Sequence, residues 1–258
     1  MSRKRQPRPR QPDSDGLIVR TWATTHSPGA SIPPHSHDWN QLVYASEGVM
    51  SVHTAQGTWV VPPDRAVWVP AGVEHWEEMS GRVTVRSLYF ATELSHKLPT
   101  ECRAVNVPPL LRELILHTIR LGLLHRSVPN EARLARILLD QLEALPAVPL
   151  QLPMPRDPRA RTVAGLLERH PGVVRKLTAF ARDVGTSRRT LERLFRAETH
   201  LTLGRWRQRL RLIHALRGLA TGRSVTRVAL DLGYDSPSAF VAMFKRELGT
   251  TPGRYFRG

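Results

Sequence analysis

The chain has 258 residues, enough for one large domain or two ordinary ones, each with its own core. No apolar run approaches the roughly 20 residues needed to span a bilayer, and a single cysteine, Cys102, excludes an internal disulfide framework, so a cytoplasmic chain without a membrane partner is expected. The formal charge of +16 is unevenly spread: residues 159–258 hold 21 Lys and Arg against 7 Asp and Glu, residues 17–158 only 12 against 13, and such an imbalance points the C-terminal part at a polyanion.

Residues 1–16, "MSRKRQPRPRQPDSDG", are basic but are followed by no apolar segment of the secretory kind, and read as a disordered tail. In "GASIPPHSHDWNQLVYASEG" (29–48), His35 and His37 stand two apart and would share one face of a strand. The spacing Gly29, five residues, His35, Ser36, His37, three residues, Gln41, six residues, Gly48 resembles the first cupin motif, and "PAGVEH" (70–75) resembles the second. The resemblance implies a β-barrel of the cupin or jelly-roll kind, with His35, His37 and His75 pointing inward beside Gln41. Three imidazoles and a side-chain amide suit Zn, Ni, Fe or Cu. The pattern is broken where the family's ligating Glu is Gln41, its second-motif Asn is Met79 and its leading Gly is Asp64, which lowers the charge offered to a divalent ion. A divalent metal site, a metal-free polar pocket and purely structural histidines stay open, and no cofactor is required. Trp39, Tyr44, Trp59 and Trp68 could line a pocket, although aromatic residues of a small barrel more often serve as core.

Two helical patterns follow, over 108–125 and 130–145. In the second, Leu134, Ile137, Leu138, Gln141, Leu142 and Leu145 recur at 3- and 4-residue steps, an apolar stripe for the domain's own core or for a homodimer. Five prolines in "LPAVPLQLPMPRDP" (145–158) lack the N–H for helix or sheet ladders. The boundaries read from this are a sensor domain over 17–145, a Pro-rich linker over 146–158 and a second domain over 159–258.

The last hundred residues contain a repeat. Ala181 and Gly185 match Ala229 and Gly233; one inserted residue later Ser187 matches Ser236, Leu191 matches Phe240, Phe195 matches Phe244, Gly204 matches Gly253 and Trp206 matches Tyr255. In each copy the small alanine admits a crossing helix, the glycine can take the left-handed turn conformation, and the serine can cap the next helix, which is a helix-turn-helix found twice. The helix after the first turn leaves Arg188, Arg189, Glu192, Arg193 and Arg196 outward, where guanidinium groups can meet phosphates or guanine edges. The second leaves Ser238, Val241, Ala242, Lys245 and Arg246 outward. Between them, residues 203–222 predict a long helix with Trp206, Leu210, Ile213 and Leu216 on one face, on the order of 25 Å of separation between two reading heads.

Residues 159–258 resemble the DNA-binding domain of the AraC/XylS family of transcription regulators, most closely in "SVTRVALDLGYDSPSAFVAMFKRELGTTPGRY" (224–255). The resemblance implies seven helices and two recognition helices in successive major-groove segments of double-stranded DNA. It implies that Arg189, Glu192 and Arg193 face bases in one groove, and Ser238, Ala239 and Ala242 in the next. Ala242 departs from the arginine many members carry, which leaves Lys245 and Arg254 as phosphate clamps. The expected fold class is thus α+β in two domains, an N-terminal barrel with helices and an all-α double helix-turn-helix. The expected function is sequence-specific transcription regulation under a small-molecule or metal effector, with RNA polymerase as a further partner. The alternative is a cupin metalloenzyme of the three-His oxygenase type with a basic appendage; against it, the front half shows no further general acid or base at a recognisable spacing.

Overall fold

The computed structural model describes residues 16–145 and 151–256. The predicted basic tail, apart from Gly16, and residues 146–150 of the predicted linker lie outside them. The chain divides into two compact units, one up to Ala55 and over Trp59–Gln151, the other over Gln56–Thr58 and from Leu152 onward.

The first unit is sheet-rich. Its elements are β1 (Leu17–His26), β2 (Ser31–His35), β3 (Asn40–Thr54), β4 (Gly57–Val61), β5 (Arg65–Val69), β6 (His75–Phe90), β7 (Arg103–Asn106), α1 (Pro109–Leu121), β8 (Leu123–His125) and α2 (Pro129–Ala144). The antiparallel pairing runs β7-β5-β3-β6-β1-β8, with β2 also on β6 and β4 also on β3. The path is open at β7 and β8, so the expected closed barrel is replaced by a jelly-roll-like sheet. Long strands β3 and β6 pair from Asn40 opposite Phe90 to His53 opposite Trp76, with register shifts on either side of Glu47. There Gly48 has φ +77°, and a Cβ on it would stand 2.1 Å from the Arg82 carbonyl oxygen. This bulge lets the two long strands bend sharply, as an extra unpaired residue does.

One face of this sheet packs on α1 and α2: Tyr44, Trp68, Phe90, Leu111, Ile115, Leu138 and Leu142 share one buried cluster. Tyr44 and Trp68 are therefore core under the helices, while Trp39 is buried in a small cluster with Leu17 and Ala91. The stripe of α2 is rotated from the predicted one. Ala135, Leu138, Leu139 and Leu142 are buried, whereas Ile137 is 46% exposed. Small Ala135 lets α2 approach closely, a contact that a count of large apolar residues overlooks.

The second unit is helical beyond the short strand β9 (Gln151–Pro153): α3 (Pro158–Arg169), α4 (Leu177–Asp183), α5 (Arg188–Thr199), α6 (Leu203–Ala220), α7 (Val225–Asp231), α8 (Pro237–Leu248) and α9 (Pro252–Tyr255). Part of the stretch read as linker belongs to it. Trp206 Nε1 donates to the Pro153 carbonyl at 2.7 Å, and the Glu198 carboxylate accepts from the backbone N–H groups of Arg156 and Asp157 at 2.7 and 3.0 Å. Asp157 then caps α3, accepting from Arg159 N at 2.9 Å.

The repeat is visible bond for bond. Thr186 N donates to the Ala181 carbonyl at 2.9 Å, as Tyr234 N does to Ala229 at 3.1 Å. Gly185 and Gly233 both take positive φ, +64° and +71°. Ser187 accepts from Thr190 N at 3.1 Å, and Ser236 from Ala239 N at 3.2 Å. The ring pair Phe195–Trp206 lies at 5.6 Å between centroids, as does Phe244–Tyr255. Helix α6 is buried on more than the predicted face, with Leu203, Leu212 and Ala215 enclosed as well as Trp206, Leu210, Ile213 and Leu216.

Candidate ligand site and nucleic-acid interface

The histidine cluster depends on the bend in the sheet. His75 and Tyr89 lie near opposite ends of β6, roughly 45 Å apart if that strand ran straight. Gln41 is paired with Tyr89, yet its amide also reaches His75. Bending at the Gly48 bulge thus folds one end of the ladder over the other, while β2 sets His35 opposite His75.

Each imidazole is oriented by a backbone carbonyl on its Nδ1: Pro33 for His35 at 2.9 Å, Trp39 for His37 at 2.5 Å and Val73 for His75 at 2.9 Å. A carbonyl only accepts, so each Nδ1 carries a proton, and a ring with no second proton keeps its lone pair on Nε2. Burial lowers the pKa of His35, His37 adding to the shift, and brings that of His75 down to about 4, His35 and His37 adding to it, so the His75 ring is neutral at pH 7. One nitrogen from each of the three lies within 4.8 Å of the others.

Gln41, fully buried, is the hub. One end of its amide lies 2.7 Å from His37 Nε2 and 3.1 Å from His75 Nε2; the other end lies 3.1 Å from both Ser87 Oγ and Tyr89 OH. As placed, the amide oxygen faces the two Nε2 atoms and the NH₂ donates to Ser87 Oγ and Tyr89 OH; a lone pair on Nε2 requires a donor instead, which the same side chain supplies when its amide is turned over. Among the described residues, His35 Nε2 and Glu77 Oε2 are buried without hydrogen-bond partners. Glu77 itself is 2% exposed, and burial pushes its pKa up to about 8. Burial, with Glu77 adding to it, also raises the pKa of Tyr89.

The structure brings His35, His37, Gln41 and His75 together. Ser87, Tyr89 and Glu77 escape a motif search. Glu77 was detectable in principle, because it is two residues from His75 and therefore on the same strand face. Ser87 and Tyr89 depend on the register of β6 against β3, which no local pattern displays. Cys102, outside this cluster, has its thiol pushed up to about 12 by burial, which suppresses the reactive thiolate.

In the helical unit, Leu191, Leu194 and Phe195 are buried on α5, and Phe240, Met243 and Phe244 on α8. Arg188 is exposed but pairs with Glu192 at 3.2 Å. Exposed Arg189, Arg193 and Arg196 on α5, Lys245 on α8 and Arg254 on α9 make no side-chain hydrogen bond or ion pair among the described residues. Ser238, Ala239 and Ala242 are exposed on α8, and Arg246 contacts Glu247 at 3.4 Å. Other basic residues are committed internally. Arg207 donates to the Val173 carbonyl, Arg211 to the Pro171 carbonyl at 3.2 Å, and Arg223 and Arg227 pair with Asp231. Part of the positive charge of this unit is therefore already paired, although Arg223 and Arg227 remain exposed.

Known proteins share both units. The AraC-like ligand binding domain matches residues 21–161 and a helix-turn-helix domain matches residues 180–258. The HTH-type transcriptional regulator NimR of Escherichia coli K12 is 39% identical over 223 residues, 86% of this chain and 81% of that protein. Regulatory protein SoxS of Salmonella typhimurium is 35% identical over 96 residues, 37% of this chain and 90% of its own. Among solved structures, the DNA-binding domain of AdpA, a global transcriptional factor in complex with a target DNA, is 32% identical and covers 39% of this chain and 91% of that one, with a TM-score of 0.37. No helix among the described residues is long and apolar enough to cross a membrane.

Proposed function

Given that the chain belongs to the AraC family of transcription regulators, we propose that α5 reads base edges in double-stranded DNA, α8 and α9 hold the backbone, and the histidine cluster binds the controlling ligand. The protein is a regulator and not an enzyme, as its relatives are. The observation that supports the DNA assignment is the internal accounting of charge. Ion pairs and carbonyl contacts within this unit occupy Arg207, Arg211, Arg223 and Arg227, while Arg189, Arg193 and Arg196 on one recognition helix make no such contact among the described residues. A guanidinium fork suits guanine O6 and N7, whereas a lysine ammonium meets a phosphate as a point charge. Arg193→Ala is expected to cost on the order of 1–3 kcal/mol on the preferred site and to relax sequence choice at one position, and Lys245→Ala to weaken all duplexes alike. Binding of the two variants across a randomised duplex library checks this. Uniform losses in both would remove base reading from α5.

The proposed ligand is a divalent transition metal ion held by the Nε2 atoms of His35, His37 and His75. Its support is the shared tautomer: three Nδ1–H groups fixed on backbone carbonyls, the outer arrangement that orients metal-ligating histidines. Buried His35 Nε2, without a hydrogen-bond partner among the described residues, suits an electron-pair acceptor. The ion would supply charge that draws the three rings together, and through them the strand ends that carry them. Chelator-treated full-length protein is expected to take up about one equivalent of zinc or nickel by elemental analysis after desalting, and His75→Ala to take up none. Protein that stays metal-free would return the pocket to a small organic effector.

A further inference from the structure

The cupin-like pattern loses its carboxylate ligand at Gln41, and the structure offers a replacement from another place in the fold. Glu77 lies two residues beyond His75 on β6, and its Oε1 is 3.8 Å from His75 Nε2. Its side chain is 2% exposed, and Oε2 has no hydrogen-bond partner among the described residues. Burying a carboxyl without a partner is costly, and a nearby cation is the usual compensation. Donor atoms around a tetrahedral ion with bonds of about 2.0–2.1 Å stand roughly 3.4 Å apart, so the carboxyl is near ligand spacing from His75; it lies outside the group of His35, His37 and His75 atoms that are all within 4.8 Å of one another, and would swing inward to join them.

Building on the metal reading of the histidine cluster, we infer that Glu77 is the anionic ligand of that site, completing a set of three imidazoles and one carboxylate for a divalent transition metal. The carboxylate enters from β6, on the same strand as His75, in place of the Gln41 position on β3. In the metal-free site Gln41 keeps a positioning role: its amide holds the Nε2 atoms of His37 and His75 in convergence, anchored by Ser87 and Tyr89, and would release both nitrogens to the ion, since one lone pair cannot serve both. The ligand set so formed carries one negative charge against two positive ones, a better balance in a buried site than three neutral rings provide.

Cobalt(II) is the probe, because its visible absorption reports both affinity and ligand type. Metal-free full-length protein, Glu77→Gln, Glu77→Asp and Gln41→Ala are each titrated with cobalt(II), and zinc displaces it. Glu77→Gln is expected to weaken cobalt binding at least about ten-fold and to shift the visible bands, while Glu77→Asp recovers part of both. Gln41→Ala is expected to weaken binding less than Glu77→Gln and to leave the bands in place. The melting temperature of each metal-free variant shows that the sheet is folded. Wild-type affinity and spectrum in Glu77→Gln would overturn the Glu77 assignment and leave the three-histidine site standing. Absence of cobalt binding in the wild type would overturn both.

Discussion

Gly233→Ala should destabilise the helical unit by roughly 2–5 kcal/mol, and the same change at its repeat partner Gly185 by only about 1–2 kcal/mol. Both glycines hold the left-handed conformation of a helix-turn-helix turn, at +71° and +64°, so each variant carries the strain of placing a Cβ there. The surroundings separate them. A Cβ on Gly185 meets nothing within 4 Å, whereas one on Gly233 stands 2.2 Å from the Gly172 carbonyl oxygen. Gly172 is reciprocally constrained, its own Cβ position lying 2.2 Å from the Asp231 carbonyl oxygen. Backbone therefore meets backbone here, and no flexible side chain is available to move aside. Arg207 and Arg211 hold the same loop by its carbonyls at Val173 and Pro171, which limits relaxation further. Urea unfolding followed by helical circular dichroism measures both variants. Equal losses at the two glycines would mean that the loop from Pro171 to Val173 yields freely.

Trp206→Ala is the second large effect, expected at about 3–5 kcal/mol, the range for removing a buried aromatic side chain. Trp206 is fully buried, packs edge-on against Phe195 of α5, and donates its indole N–H to the Pro153 carbonyl at 2.7 Å. Truncation opens a cavity behind α5 and strips that carbonyl of its donor. The equivalent ring in the second copy, Tyr255, is partly exposed, and Tyr255→Ala should cost less. DNA affinity should fall with the stability of the helical unit in Trp206→Ala, while cobalt uptake by the histidine cluster stays at the wild-type level. Calorimetry beside the two binding assays tests this. A variant that keeps full DNA affinity and full stability would show that the aromatic pair contributes little.

Much of this architecture follows from short-range pattern. The turns with Ala181, Gly185 and Ser187, and with Ala229, Gly233 and Ser236, are legible because helix caps and left-handed turns are closed by hydrogen bonds spanning only a few residues. The histidines are legible for the same reason, since a spacing of two residues places side chains on one strand face. Contacts between distant segments leave no such mark. The bend at Gly48 that folds Gln41 onto His75, the β6 register that brings Tyr89 and Ser87 to Gln41, and the rotation of α2 about Ala135 each arise from packing between surfaces far apart in the chain. The same holds for charge. Composition alone counts Arg193 and Arg207 as equal, and only the folded unit leaves one free on a helix face while the other is spent on the Val173 carbonyl, because a guanidinium's partner is set by what the fold places within reach.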